Sequence, residues 1–287
     1  MARIRFGVIC DCQYTDSDDE SFLVSSPSGD WQHQSNRYYR SSKERLARAV
    51  NYFNTQPLDF VVHLGDLADR QESDFKVVRL VLEELTAPLY HVLGNHDYSA
   101  SGRSQQQACN NLGLASPYYS FCQQGVTFIV LDSNQCSLID VTQNDSVRYA
   151  RQRQYLRQLR QEGKSYAQTY NGGIDDKQKE WLIDTLQQAK RDSSPVVIFA
   201  HHPVFPPNMH NMLNCEELLA IFDIFPPIAF MNGHNHAGGF GIRQGVPYVT
   251  FPGMVESLND AYSVVTINED SLVFRGFGSH HDGMVQR

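Results

Sequence analysis

A layered α/β fold is predicted by three observations: short apolar runs bounded by turn residues, amphipathic helical patterns between several of them, and a polar metal-ligating residue just past most of the runs. The apolar runs are residues 4–10, 58–64, 89–93, 126–131, 196–200 and 228–231, all rich in Val, Ile, Leu and Phe. Short runs of this kind read as buried strands. Between them, Leu46, Ala49, Val50 and Phe53 recur at helical spacing, as do Val78, Val81, Leu82 and Leu85, and then Trp181, Leu182, Thr185, Leu186 and Ala189. Each set builds one apolar helix face. Strands alternating with helices make a sheet covered by helices.

The chain has 287 residues, of which 41% are hydrophobic and 20% charged, enough for a substantial core. No composition shift marks a joint, so the expectation is one domain, 1–287, with loop insertions near 16–36, 136–174 and 203–215. A net charge of −8 argues against a broad basic surface that grips nucleic acid. An anionic ligand must then be met by local positive charge, and metal can supply it. The six cysteines, Cys10, Cys12, Cys109, Cys122, Cys136 and Cys215, lack the paired spacing of zinc sites and read as thiols in a reducing compartment. Charges inside the first short apolar run, MARIRFGVICD, do not read as a signal peptide, and no run approaches a membrane span. A cytoplasmic protein without membrane contact is expected.

Past the strand ends stand Asp11, then Gly65-Asp66, Gly94-Asn95-His96-Asp97, His201-His202 and Gly233-His234-Asn235-His236. In helix-covered sheets, ligands gather beyond the carboxyl ends of strands. Five separate segments therefore converge. One histidine or aspartate after a strand is ordinarily a cap or a turn residue. The set together points to one shared site, and Asp, Asn and His donors without Cys suit Mn2+, Fe2+ or Zn2+.

These blocks, Asp11-Cys12-Gln13, Gly65-Asp66-Leu67-Ala68-Asp69, Gly94-Asn95-His96-Asp97, Ala200-His201-His202-Pro203 and Gly233-His234-Asn235-His236, resemble the calcineurin-like metallophosphoesterase superfamily in order and over nearly the whole chain. The resemblance implies a four-layer αββα sandwich of two mixed sheets, with residues 247–251, 262–267 and 271–276 completing the second sheet. It implies two divalent ions. Asp66 would bridge them, Asp11 and His236 would serve the first, and Asn95, His201 and His234 the second. Gln13 stands where the family has histidine, so it is either a weaker ligand to the first metal or a residue lining the pocket.

Further segments, Asp11-Cys12-Gln13-Tyr14, Asn36-Arg37-Tyr38-Tyr39-Arg40, Tyr170-Asn171-Gly172-Gly173, Gly233 to Gly239 and Phe251-Pro252-Gly253-Met254-Val255-Glu256, resemble the manganese-dependent ADP-ribose/CDP-alcohol diphosphatases. Such likeness implies a small nucleotide diphosphate as substrate and Mn2+ as the metal. Ions about 3.5–4 Å apart clamp a phosphoryl group and turn a bridging water into the nucleophile. His96 would protonate or stabilise the leaving group, and Asp97 would either orient His96 or cap a helix. Asp69 would support a loop or a ligand, and His202 would be a support as well. Arg37 and Arg40 are candidates for phosphate, as are Asn171 and Gly172 for base or ribose, in a turn expected to be flexible.

The arginine-rich stretch 148–162 is either a solvated helix face or a flap over the site. Loop 203–215 reads as a pocket wall and loop 16–30, with Phe22 and Leu23, as a rim. Two other activities fit the same donors: a cyclic-nucleotide phosphodiesterase and a phosphomonoesterase or phosphoprotein phosphatase. A catalytically silent protein-binding scaffold would need ligands to be lost, and only position 13 departs.

Overall fold

Each of the six apolar runs contains a strand in a computed structural model of the protein, which describes residues 3–25, 32–140 and 145–286. Along the first half run β1 (Ile4–Ile9), β2 (Glu20–Ser25), β3 (Gln32–Arg37), α1 (Tyr39–Asn54), β4 (Phe60–His63), α2 (Glu72–Leu82), β5 (Leu89–His91), α3 (Asn95–Ala100), α4 (Gln105–Leu112), β6 (Tyr119–Gln123) and β7 (Val126–Val130). There follow α5 (Ser146–Gln161), α6 (Asp176–Arg191), β8 (Val196–Phe199), α7 (Cys215–Ile224), β9 (Ala229–Asn232), β10 (Gly239–Arg243), β11 (Val246–Thr250), a 3-10 turn (Met254–Glu256), β12 (Ala261–Ile267), β13 (Ser271–Gly278) and β14 (Gly283–Gln286). Residues 26–31 and 141–144 of the expected insertions lie outside the described residues, and of Phe22 only the backbone is described.

Two six-stranded sheets face each other, in the orders β14-β13-β12-β1-β4-β5 and β10-β11-β9-β8-β7-β6. The side-chain period of two divides every central strand between two cores. Phe6 and Val8 of β1 and Phe60 and Val62 of β4 point between the sheets, toward Phe128 and Val130 of β7 and Val197 and Phe199 of β8. The Phe6 ring stacks on Phe60 at 4.8 Å and meets Phe128 and Phe199 edge-on. From the opposite faces, Ile9 and Val61 pack on Leu46, Val50 and Phe53 of α1 and on Phe75 and Val78 of α2. Ile129, Ile198 and Phe230 pack on Leu182 and Leu186 of α6 and on Leu218 and Phe222 of α7. Helix, sheet, sheet, helix gives the four-layer αββα sandwich.

The terminal strands correct one expectation. Residues 247–251 do join the second sheet, where β11 runs parallel to β9, but β12 pairs antiparallel with β1 and β13 with β12, in the first sheet. Alternation fixes which face of a strand is buried without fixing which strand lies beside it. Val265 and Ile267 accordingly enter the inter-sheet core while Ala261 and Val264 face the helices.

The parallel pairs β1–β4–β5 and β8–β9 bring their carboxyl ends to one edge of the sandwich. Ile9 lies opposite His63 and His63 opposite His91, while Phe199 lies opposite Met231. The residues that follow these strands are thus delivered from both sheets to one place. No helix among the described residues is long and apolar enough to cross a membrane.

Candidate metal centre

The loops beyond those strands hold an unusual backbone. Asp11, Gln13, Asp66 and His234 all have positive φ, at 51°, 45°, 60° and 65°. Left-handed conformations are costly for residues with a side chain and persist where surrounding structure imposes them. Asp11 donates its N–H to Gly65 O and Gln13 donates to Asp66 O, which locks the two loops together. Glycine supplies the space: a Cβ at Gly233 would lie 2.5 Å from Asp11 Oδ2, and one at Gly65 2.5 Å from His201 Nδ1.

Two donor groups result, and they share one carboxylate. In the first, His236 Nε2 is 3.0 Å from Asp11 Oδ1 and 3.2 Å from Gln13 Nε2. In the second, His201 Nε2 is 3.0 Å from Asn95 Oδ1, and the His234 ring centre lies 5.0 Å from that of His201. Asp66 Oδ2 accepts from Gln13 Nε2 at 2.9 Å and lies 3.3 Å from His201 Nε2. All seven of these residues are buried or nearly so. Ligating atoms of Asp11, Asp66 and His236 lie within 4.8 Å of one another.

The ring orientations are set from behind. His201 Nδ1 hydrogen bonds with Leu64 O at 2.8 Å, which leaves Nε2 facing the site. His234 Nε2 bonds Asn171 Oδ1 at 2.9 Å, which leaves Nδ1 as the nitrogen available to a metal. His202 bonds Ser133 Oγ through Nδ1 and is turned away, as expected of a support.

The electrostatics suit a cation. Burial resists charge on His201, yet Asp66 outweighs it and the imidazole is pushed up to about 9. His96 behaves alike: burial lowers it, but Asp66 and Asp69 push it up to about 9. Asp66 itself is held well below the usual carboxylate range by His201 and His96 in spite of its burial. Carboxylates that draw protons onto neighbouring imidazoles form a site with uncompensated negative charge, and a divalent ion fits it. Gln13 Oε1, buried with no hydrogen-bond partner, is one acceptor more.

His96 stands beside this cluster with its side chain about one-third open, at 36%. Its Nδ1 is 2.6 Å from Asp69 Oδ1, so Asp69 orients it, not Asp97. Asp97 instead accepts the N–H groups of Gly94, Asp66 and Leu67 at 2.9 Å each. Its third-position place in α3 aims the carboxylate back at the loops, so Asp97 holds the backbone that carries Asp66.

Other expected contacts are also corrected. Arg40 is exposed and pairs with Asp16 and Asp18 on the rim loop. Asn171 is fully buried, and its Nδ2 donates to Tyr166 O and Met209 O, so it positions His234 and is not open to a base. Gly172 is buried, and a Cβ there would collide with Ser133 O; the expected flexible turn is a packed one. Helix α5 does not cover the site: Leu156 and Leu159 pack with the α6 layer and Arg148 pairs with Asp140. Loop 203–215 does reach the site, where the His210 ring lies 5.5 Å from that of His234.

Arg37 does belong here, paired with Glu256, whose Oε1 also lies 3.3 Å from His236 Nδ1. Sequence reasoning assigned no role to Glu256 or to Arg70, whose Nε binds Asp69 Oδ2 at 3.0 Å. The signal for Arg70 was its place directly after Asp69, and for Glu256 its place at the end of the 251–256 segment.

Against this geometry stand the relatives. Residues 4–238 match the family model of the calcineurin-like phosphoesterases. A Mus musculus protein named manganese-dependent ADP-ribose/CDP-alcohol diphosphatase is 27% identical over 95% of this chain and 90% of its own. One of the same name from Arabidopsis thaliana is 26% identical over 90% of this chain and 88% of its own. A dimetal phosphatase crystal structure from Danio rerio superposes with a TM-score of 0.84 at 24% identity, covering 99% of this chain and 98% of that one. The chain belongs to the calcineurin-like phosphoesterase family and is a metal-dependent phosphoric ester or anhydride hydrolase.

Proposed function

We propose that the centre holds two divalent ions, Mn2+ first among Mn2+, Fe2+ and Zn2+, and hydrolyses the diphosphate of a nucleotide such as ADP-ribose or a CDP-alcohol. The observation that carries this reading is the Asp66 carboxylate shared between two donor groups. Asp11, Gln13 and His236 would hold one ion, Asn95, His201 and His234 the other, and Asp66 would serve both. Bound there, the ions supply Lewis acidity at phosphorus and an activated water.

The chain's own residues do the rest. His96, protonated and steered by Asp69, offers its Nε2–H to the departing oxygen, where negative charge collects as the phosphorus–oxygen bond breaks. Arg37, half-buried close to Asp11, Asp69 and Asp66, presents a planar fork suited to phosphate oxygens. The names of the full-length relatives support the substrate class and the metal. In this reading residues 1–287 form one catalytic domain, and the six free thiols accord with a cytoplasmic enzyme.

The test is turnover of chelator-stripped protein on ADP-ribose, CDP-choline, cyclic AMP and p-nitrophenyl phosphate, with Mn2+, Mg2+ and Zn2+ compared. Preference for the linear diphosphates with Mn2+ is expected. A preference for cyclic AMP or the simple monoester would overturn the substrate, and turnover without added metal would overturn the centre.

A further inference from the structure

Glu256 occupies a position that none of the donor residues explains. It ends the Met254–Glu256 turn, which is tied to the metal loop through Met254 N–H to Cys10 O at 3.2 Å and Val255 N–H to Asp11 O at 3.0 Å. From the other side, buried Arg45 donates to Met254 O at 3.0 Å and to Tyr38 O at 2.8 Å. The turn is therefore fixed to both β1 and α1. Its Gly253 lies flat on the His236 ring, where a Cβ would stand 2.6 Å from Cγ.

The Glu256 carboxylate then faces two ways. Oε2 accepts the Asn36 N–H at 3.1 Å, and Oε1 takes Ser35 Oγ at 2.8 Å together with the Arg37 guanidinium. The same Oε1 is 3.3 Å from His236 Nδ1, yet that buried nitrogen has no hydrogen bond. An imidazole that ligates through Nε2 carries its proton on Nδ1, and a carboxylate accepting that proton makes it a stronger ligand. Glu256 is in reach to do so but is engaged by Arg37.

Building on the two-metal reading, we propose that Glu256 is a positioning residue that couples substrate binding to the first metal site. When the Arg37 fork turns to a substrate phosphate, Oε1 is released to His236 Nδ1–H, and the site weakened by Gln13 closes on its ion. By linkage the coupling is reciprocal: the ion at that site favours phosphate at Arg37.

The experiment is Mn2+ titration followed by calorimetry and by the electron paramagnetic resonance of free Mn2+, with and without α,β-methylene-ADP. In the unaltered protein the analogue is expected to tighten the weaker Mn2+ site several-fold. Glu256→Gln should abolish the tightening, leaving the weaker site with analogue no tighter than without it and the stronger site unchanged. Arg37→Ala should tighten the weaker site without analogue, and adding Glu256→Gln should erase that gain. A gain that persists in the double variant is plain charge removal and overturns the coupling. Ser35→Ala removes another contact of the same oxygen and should leave the coupling intact. Equal tightening by the analogue in Glu256→Gln and in the unaltered protein, with both sites filled, would sink the proposal alone. If the unaltered protein binds no Mn2+ pair, or Asp66→Asn leaves both sites intact, the metal reading itself fails.

Discussion

Asp69 holds two basic side chains with one carboxylate: Oδ1 lies 2.6 Å from His96 Nδ1 and Oδ2 accepts from Arg70 Nε at 3.0 Å. The Arg70 guanidinium in turn pairs with Glu20 and lies 4.8 Å from the Tyr39 ring centre. Within this chain of contacts His96 sits next to a donor of the centre in sequence, so in the proposed reaction Asp69 would act through it.

Asp69→Asn should lower kcat by about 10–100-fold with little change in KM. The sign of its pH effect follows from the imidazole. Burial lowers His96, and Asp66 and Asp69 raise it to about 9, so losing one carboxylate brings it down. A general acid works below its pKa, and the alkaline limb of the kcat profile should therefore move to lower pH in the variant. An unshifted limb would leave Asp69 a purely structural partner.

Gln13→His should tighten Mn2+ at the weaker site by about tenfold or more, because imidazole nitrogen is the better donor to such ions. The Gln13 amide already lies 2.9 Å from Asp66 Oδ2 and 3.2 Å from His236 Nε2, so the exchange occurs inside the donor group. Competition with a fluorescent chelator measures it. An identical titration would remove position 13 from the coordination sphere.

Stability should fall in mild acid through His280, remote from the metal loops in sequence. Burial holds this imidazole down to about 4, from an ordinary value of 6.5, and it hydrogen bonds Ser263 Oγ and Pro252 O. A depressed value means that the unfolded chain binds the proton more readily. The contribution is thus complete above pH 6.5 and is lost as pH drops toward 4, by about 3 kcal/mol at full extent. Comparing unfolding midpoints from pH 7.5 to 4.5, His280→Gln should show a shallower decline than the unaltered protein.

Arg45→Met tests the frame behind the centre. Arg45 is 1% exposed and donates to Met254 O, Tyr38 O and Ser41 Oγ. Removing those donors strands buried carbonyls and should cost about 3 kcal/mol in denaturant unfolding. A loss below about 0.5 kcal/mol would mean that methionine packs as well as the ion it replaces.

What the sequence disclosed follows from how locally each feature is specified. Buried parallel strands are written as Val- and Ile-rich runs, and the donors stand within a few residues of their ends, so Asp11, Asp66, Asn95, His201, His234 and His236 could be read together. The β2–β3 hairpin could not be, because Gln32–Arg37 reads QHQSNR and has no apolar alternation. Nor could the partner of His96. Asp69 and Asp97 are each close to it in the chain or in the adjoining loop, and only the fold decides that Asp97 turns toward backbone N–H groups. Glu256 is a long-range partner, more than two hundred residues from Arg37, and no spacing rule reaches that far.

Both donor groups are assembled from both sheets. Asp11 and Gln13 follow β1 and His236 follows β9, while Asn95 follows β5 and His201 and His234 follow β8 and β9. Each ion would consequently act as a rivet across the open edge of the sandwich, joining halves whose facing cores are apolar and whose loops meet through a few hydrogen bonds such as His201 Nδ1 to Leu64 O. A rivet that fits only the docked arrangement adds about 2.7 kcal/mol when present at a hundred times its dissociation constant. Metal supply would then govern how long the folded chain survives as well as how fast it works.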